Sequence, residues 1–174
     1  MKLVDQSLKK FSADLSSKKP VPGGGSTAAL AGAMAAALVG KVIALTVGKE
    51  QYRAKVNRLQ RELMALVDKD AQAYLSVVKS KGSQAAVKKA ALMPLETAEK
   101  SLEVLKMAVY AAKHGNQNLR SDALCAVELA QAAIYGAIEN VRVNLPGLQN
   151  KQLVVGLGKG IDKVLSGANQ VVKP

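Results

Sequence analysis

Residues 20–47 limit the fold more than any other part of this chain. PVPGGGS breaks whatever precedes it, and from Thr27 to Val47 almost every side chain is apolar. Pro20 and Pro22 hold the backbone extended, and Gly23, Gly24 and Gly25 free it for conformations that side chains forbid. Within the apolar run Gly32, Ala36, Gly40, Ala44 and Gly48 recur every four residues. A helix over 27–47 would therefore carry a row of small residues, against which another helix can pack closely. The run is long enough to span a bilayer. It is nevertheless Ala-rich, interrupted by Lys41 and without aromatic anchors, so it reads as a central buried helix, lying near a subunit contact.

The rest of the chain must cover that helix with few rings. Aromatic residues make up 3% of the 174, with one Phe and no Trp, while hydrophobic residues reach 49%. A core of Ala, Leu and Val favours helices over strands. Short amphipathic spacing marks residues 3–15, and long helical patterns mark 51–81, 84–113 and 119–145. A weaker helix is expected over 149–172. Pro94 should kink the 84–113 run or start a new helix, and 114–118 reads as a turn. The expected fold is all-α, a mostly antiparallel bundle of about six helices in a single domain over 1–174, and homodimeric. Gly156, Gly158 and Gly160 resemble part of a phosphate loop, but no strand precedes them.

Composition also excludes chemistry. A single cysteine, Cys125, allows no intramolecular disulfide and no Cys-based zinc site, and a single histidine, His114, allows no multi-His metal centre. The N-terminal stretch has no apolar core of a secretory signal, so a reducing cytoplasmic setting is expected. The net charge of +12 attracts anions. Nucleic acid is not favoured, because no recognition motif or aromatic stacking platform accompanies the charge.

Asp70 is the most informative acid. At ~100° per residue, Leu59, Leu63, Leu66, Tyr74 and Val77 share one helix face, and Asp70 lies in the middle of it. Asp68 falls on the opposite, solvent side. A carboxylate on a burying stripe is costly unless something answers it. Pattern alone leaves two readings: a general acid/base, or a structural acid capping a neighbouring helix or pairing with a Lys. Asn140 and Asn144 form an aligned pair beside a small-residue face of Ala126, Leu129, Ala133 and Gly136. They could bind a heterocycle or bridge helices. Asn118, Ser121 and Asp122 stand where a helix cap is expected. The glycine loop, ahead of a helix expected to begin at Ser26, could hold an anion or simply reverse the chain.

Together these segments resemble the cyclodeaminase/cyclohydrolase family of folate enzymes. The resemblance rests on PVPGGGSTAALAGAMAAALVGKV (20–42), GKEQY (48–52), LVDKDAQAY (66–74), MPLETA (93–98), GNQNLRSDA (115–123) and NVRVNL (140–145). It implies that Asp70 is the catalytic acid, and that Gly23, Gly24, Gly25, Ser26, Lys49, Asn116, Ser121, Asp122, Asn140 and Asn144 line a folate pocket. It also implies a homodimer, tetrahydrofolate as substrate with no further cofactor, and no metal. A glutamate or polyglutamate tail on the folate would suit the basic surface, with Lys49 near the pocket mouth. After Val78 only Lys79-Ser80-Lys81-Gly82 stands where many relatives carry a longer loop. The competing class is a non-enzymatic basic helical module that binds nucleic acid or protein.

Overall fold

The computed structural model describes residues 2–46 and 48–173. Val47, the last residue of the expected central helix, lies outside them. Six α-helices follow one another: α1 (Leu8–Leu15), α2 (Gly24–Ala44), α3 (Arg53–Lys79), α4 (Gln84–His114), α5 (Arg120–Asn144) and α6 (Lys151–Val172). Short 3-10 turns lie at Leu3–Asp5, Glu50–Tyr52, Gln117–Leu119 and Leu145–Gly147, and no strand occurs among the described residues.

α2 is the centre. Ala29, Ala33, Ala35, Ala36, Val39 and Val42 are fully or almost fully buried, packed among α3, α4 and α5. The small-residue row does what its spacing implies. A Cβ added to Gly32 would lie 2.7 Å from Ser101 Oγ and 3.2 Å from a Leu63 methyl, so α4 and α3 both approach the α2 backbone there. Contact positions give the directions of the helices. Gly25 meets Asp70 and Gly40 meets Val56, so α3 runs antiparallel to α2. Gly136 packs on Ala28, and Lys41 pairs with Asp122, so α5 is antiparallel too. α4 runs parallel to α2, from Ala90 near the glycine end to Gly115 against Val42. α6 covers the outside of α4, where Gly160 and Gly167 admit Leu95 and Leu102. The main core runs from Phe11 to Ala168, with a smaller cluster of Val42, Ala111 and Ala123 beside it.

Several local expectations are corrected. The 3–15 segment is not one helix, because Ser7 is extended and accepts the Lys10 N–H, starting α1 at Leu8. α2 begins two residues earlier than Ser26, with Gly23 as its cap residue and Gly24 and Gly25 already helical. Pro94 neither ends nor restarts α4, which is continuous through it. A proline there leaves the carbonyl four residues back, on Ala90, without its helical donor. Asn144 of α5 donates its Nδ2 to that oxygen at 3.2 Å, so a second helix repairs the break. The expected weak C-terminal helix is a full 22-residue helix, capped by Asn150 and burying Leu157, Ile161, Val164 and Ala168. Its Gly156 and Gly158 lie inside the helix and form no loop.

Candidate active site

The site begins with a helix that cannot cap itself. α2 exposes backbone N–H groups at its first turn, and its cap residue, Gly23, has no side chain to meet them. Asp70 reaches in from α3. Ser26 Oγ donates to Asp70 Oδ2 at 2.9 Å, across 44 residues of sequence. Gly25 makes the approach possible, since a Cβ there would lie 2.6 Å from the Asp70 carboxyl carbon. The carboxyl therefore occupies the volume that any other residue at 25 would fill.

Among the described residues no cation pairs with this carboxyl. Burial pushes its pKa above the usual carboxylate value, and the side-chain and backbone hydrogen bonds from Ser26 pull the other way without cancelling the rise. Both structural alternatives raised for Asp70 can now be addressed. It meets the N-terminus of a neighbouring helix, as a capping acid would, and it pairs with no Lys. It also faces open space. Asp70 lies on the wall of a cavity of about 370 Å³, together with Gly23, Gly24, Gly25, Tyr74, Asn140 and Asn144. That volume is of small-molecule size. The acid stripe that located Asp70 holds at its inner end, where Leu59, Leu63 and Leu66 are buried. At its outer end Tyr74 and Val77 turn to the cavity instead of the core.

Asn140 and Asn144 reach the same cavity from α5, and the structure gives their amide groups local work. Asn140 Nδ2 donates to Gly136 O at 2.8 Å, and Asn144 Nδ2 donates to Asn140 O at 2.7 Å as well as to Ala90 O. Their Oδ1 atoms are the acceptors left for a ligand. Ser26 is fully buried and is not among the cavity-lining residues, and its hydroxyl meets Asp70.

The remaining expected pocket residues lie elsewhere in the chain. Lys49, Asn116, Ser121 and Asp122 gather at the C-terminal end of α2, ~30 Å away along a 21-residue helix. Lys49 Nζ donates to Tyr110 Oη at 2.9 Å and sits over its ring, and this cation holds the phenol below its usual pKa. Asn116 closes the end of α2, with its N–H on Thr46 Oγ1 and its Nδ2 on Leu45 O. It also caps the following turn by accepting the Asn118 N–H, so neither Asn118, Ser121 nor Asp122 is the cap. Asp122 pairs with Lys41 at 2.7 Å. Within one chain the expected set is therefore divided between the two ends of α2.

Asp68 is corrected as well. It is half-buried and accepts the Leu3 N–H at 2.6 Å, tying the N-terminal turn to α3, so it is no idle solvent residue. Sequence reasoning missed Tyr110 and Tyr52, whose rings lie 5.2 Å apart beside Lys49. The signal available was the Tyr of GKEQY; nothing in the sequence links it to a residue 58 positions later.

The chain is similar over most of its length to proteins of one family. The family model described as Formiminotransferase-cyclodeaminase matches residues 7–163. A methenyltetrahydrofolate cyclohydrolase from Methylorubrum extorquens is 32% identical, over 94% of this chain and 91% of the relative. A formimidoyltransferase-cyclodeaminase from Dictyostelium discoideum is 28% identical over 97% of this chain, which spans 35% of that longer protein. The crystal structure of a formiminotetrahydrofolate cyclodeaminase from Thermotoga maritima superimposes with a TM-score of 0.91 at 26% identity, covering 96% of this chain and 92% of that one. The chain therefore belongs to the formiminotransferase-cyclodeaminase family.

Proposed function

We propose that this protein is a folate one-carbon enzyme acting through 5,10-methenyltetrahydrofolate, either hydrolysing it to 10-formyltetrahydrofolate or forming it from formimidoyltetrahydrofolate with release of ammonia. Asp70 carries this reading: it is an acid without a cation, half-buried, on the wall of a cavity of small-molecule size. In both reactions one carbon bridges the pterin-side and anilino nitrogens and passes through a tetrahedral state. In hydrolysis, Asp70 takes a proton from the water that adds to the cationic carbon. It returns that proton to the pterin-side nitrogen as the carbon–nitrogen bond breaks, and the hydroxyl proton leaves to solvent as the formyl group forms. In deamination the anilino nitrogen attacks the carbon of the protonated formimidoyl group, and the same carboxyl carries the anilino proton to the departing ammonia, leaving the methenyl cation. A group with a raised pKa suits both halves of such a shuttle. Ionised, it also stabilises the methenyl cation. Neither step as written calls on a metal or a second cofactor.

The experiment is ultraviolet absorbance of the methenyl compound mixed with purified protein. Its protein-dependent loss identifies the hydrolase, and its appearance from the formimidoyl compound identifies the deaminase. If neither occurs, the basic binding-module reading returns, although such a module has no use for a cation-free acid beside a cavity.

We also propose that the working unit is a homodimer in the cytoplasm. Met34, at the midpoint of α2, is 47% exposed, beside exposed Ala37 and half-buried Ala31 and Leu38. A two-fold axis near Met34 would set the glycine end of α2 beside the partner's far end. Lys49, Asn116, Ser121 and Asp122 would then approach the cavity from the other subunit, and Lys49 would again stand near its mouth for a polyglutamate tail. Met34→Lys should give a monomer by light scattering; an unchanged mass would remove this interface.

A further inference from the structure

We infer that Ser26 is a positioning residue for Asp70, fixing the rotation of its carboxyl, and that it never touches the substrate. This rests on the reading of Asp70 as the acid/base. Three observations carry it. Ser26 has no exposed surface and is absent from the cavity wall, although its neighbours Gly23, Gly24 and Gly25 are on it. Its hydroxyl donates to Oδ2, which fixes the rotation of the carboxyl and with it the place of Oδ1. That oxygen rests over Gly25, in the space the missing side chain leaves. Gly25 and Ser26 together thus form a seat: the glycine admits the carboxyl, and the serine sets its rotation.

The seat also adjusts proton affinity. Around the carboxyl, α2 supplies only Gly24, Gly25 and Ser26, α4 supplies Ala90, and α5 supplies Asn140 and Asn144. Tyr74 on α3 is the one other titratable residue on the cavity wall. Among the described residues no charge perturbs it, so burial and the Ser26 hydrogen bonds set the balance, and Ser26 opposes burial. Losing the hydroxyl removes a hydrogen bond to a charged group and should raise the Asp70 midpoint by about one pH unit.

Ser26→Ala, Ser26→Thr and Asp70→Asn are compared in the full chain, by carboxyl carbon NMR titration and by pH profiles of kcat and KM. The Asp70 resonance is assigned by its loss in Asp70→Asn. In Ser26→Ala the midpoint should rise by about one unit and the acid limb of kcat should move with it. Turnover at neutral pH should fall ~10–10²-fold while KM holds, and Ser26→Thr should restore both readouts. Should Ser26→Ala not fold, Ser26→Cys, a weaker donor of similar size, serves in its place. An unmoved midpoint overturns the inference, and so does a change confined to KM. Full turnover in Asp70→Asn would instead overturn the proposed function, while a shifted midpoint in Ser26→Ala would still uphold the seat.

Discussion

The two ends of α2 are built on opposite electrostatics. At its N-terminal end a carboxyl sits among neutral donors and apolar walls, and burial keeps its proton available. At its C-terminal end the acid is answered by a cation, in Lys41 with Asp122, and the cation Lys49 is answered by a phenol. Asp14 shows what pairing does: Lys10 and Lys19 hold its carboxyl below the ordinary range. The contrast separates an acid that its cations hold ionised, Asp14, from Asp70, whose burial favours the protonated form. It also explains why one helix could be central to both stability and chemistry without the two roles interfering.

The sharpest way to break the comparison is to remove the unpaired acid. Asp70→Asn should lower turnover by ~10²–10⁴-fold with the helical circular dichroism unchanged. Asp68→Asn should keep full turnover, because an amide oxygen can still accept the Leu3 N–H. Equal losses from both substitutions would end the distinction.

The next effect is structural. Asn144→Ala should destabilise the fold by about 1–3 kcal/mol in denaturant melts, because it strands the Ala90 carbonyl that Pro94 has orphaned. Adding Pro94→Ala restores a helical donor to that carbonyl, so the double variant should recover part of the loss. Additive losses would show that Asn144 matters for another reason.

A third measurement reads the two kinds of acid through pH. The folded-state pKa of Asp70 lies above its ordinary value of 3.8, so its ionisation works against folding. The contribution is favourable below the unfolded value and is lost as pH rises through the folded one. Asp70→Asn should therefore melt higher than the parent at pH 7, with the gap closing below pH ~4. Asp14 has the opposite sign: its lowered pKa gives stability above 3.8 that is lost as pH falls through the folded value. Asp14→Asn should melt lower at pH 7 and converge with the parent in acid.

The smallest effect is expected at the paired end. Lys41 and Asp122 are partly solvated, so Asp122→Asn should cost ~0–1 kcal/mol and shrink further at high salt. A larger loss of activity than of stability there would support the partner-subunit placement of that end.

Much of the fold is legible in local pattern. The helix spacing, the Ala/Gly row and the paucity of rings are properties of neighbouring residues, and they point to an all-helical protein with a helix expected over 27–47 at its centre and Asp70 on an inward face. Periodicity reports the angle of a residue around its own helix axis. It carries no information about height along a neighbouring helix, and that height decided the rest. It set Asp70 against Gly25 and Ser26, Asn144 against the carbonyl left by Pro94, and Asp68 against the Leu3 N–H. It also carried Lys49, Asn116, Ser121 and Asp122 to the far end of α2, because a helix advances ~1.5 Å per residue whatever motif its ends carry. Each of these contacts joins residues more than 40 positions apart, and only packing of the completed helices selects them.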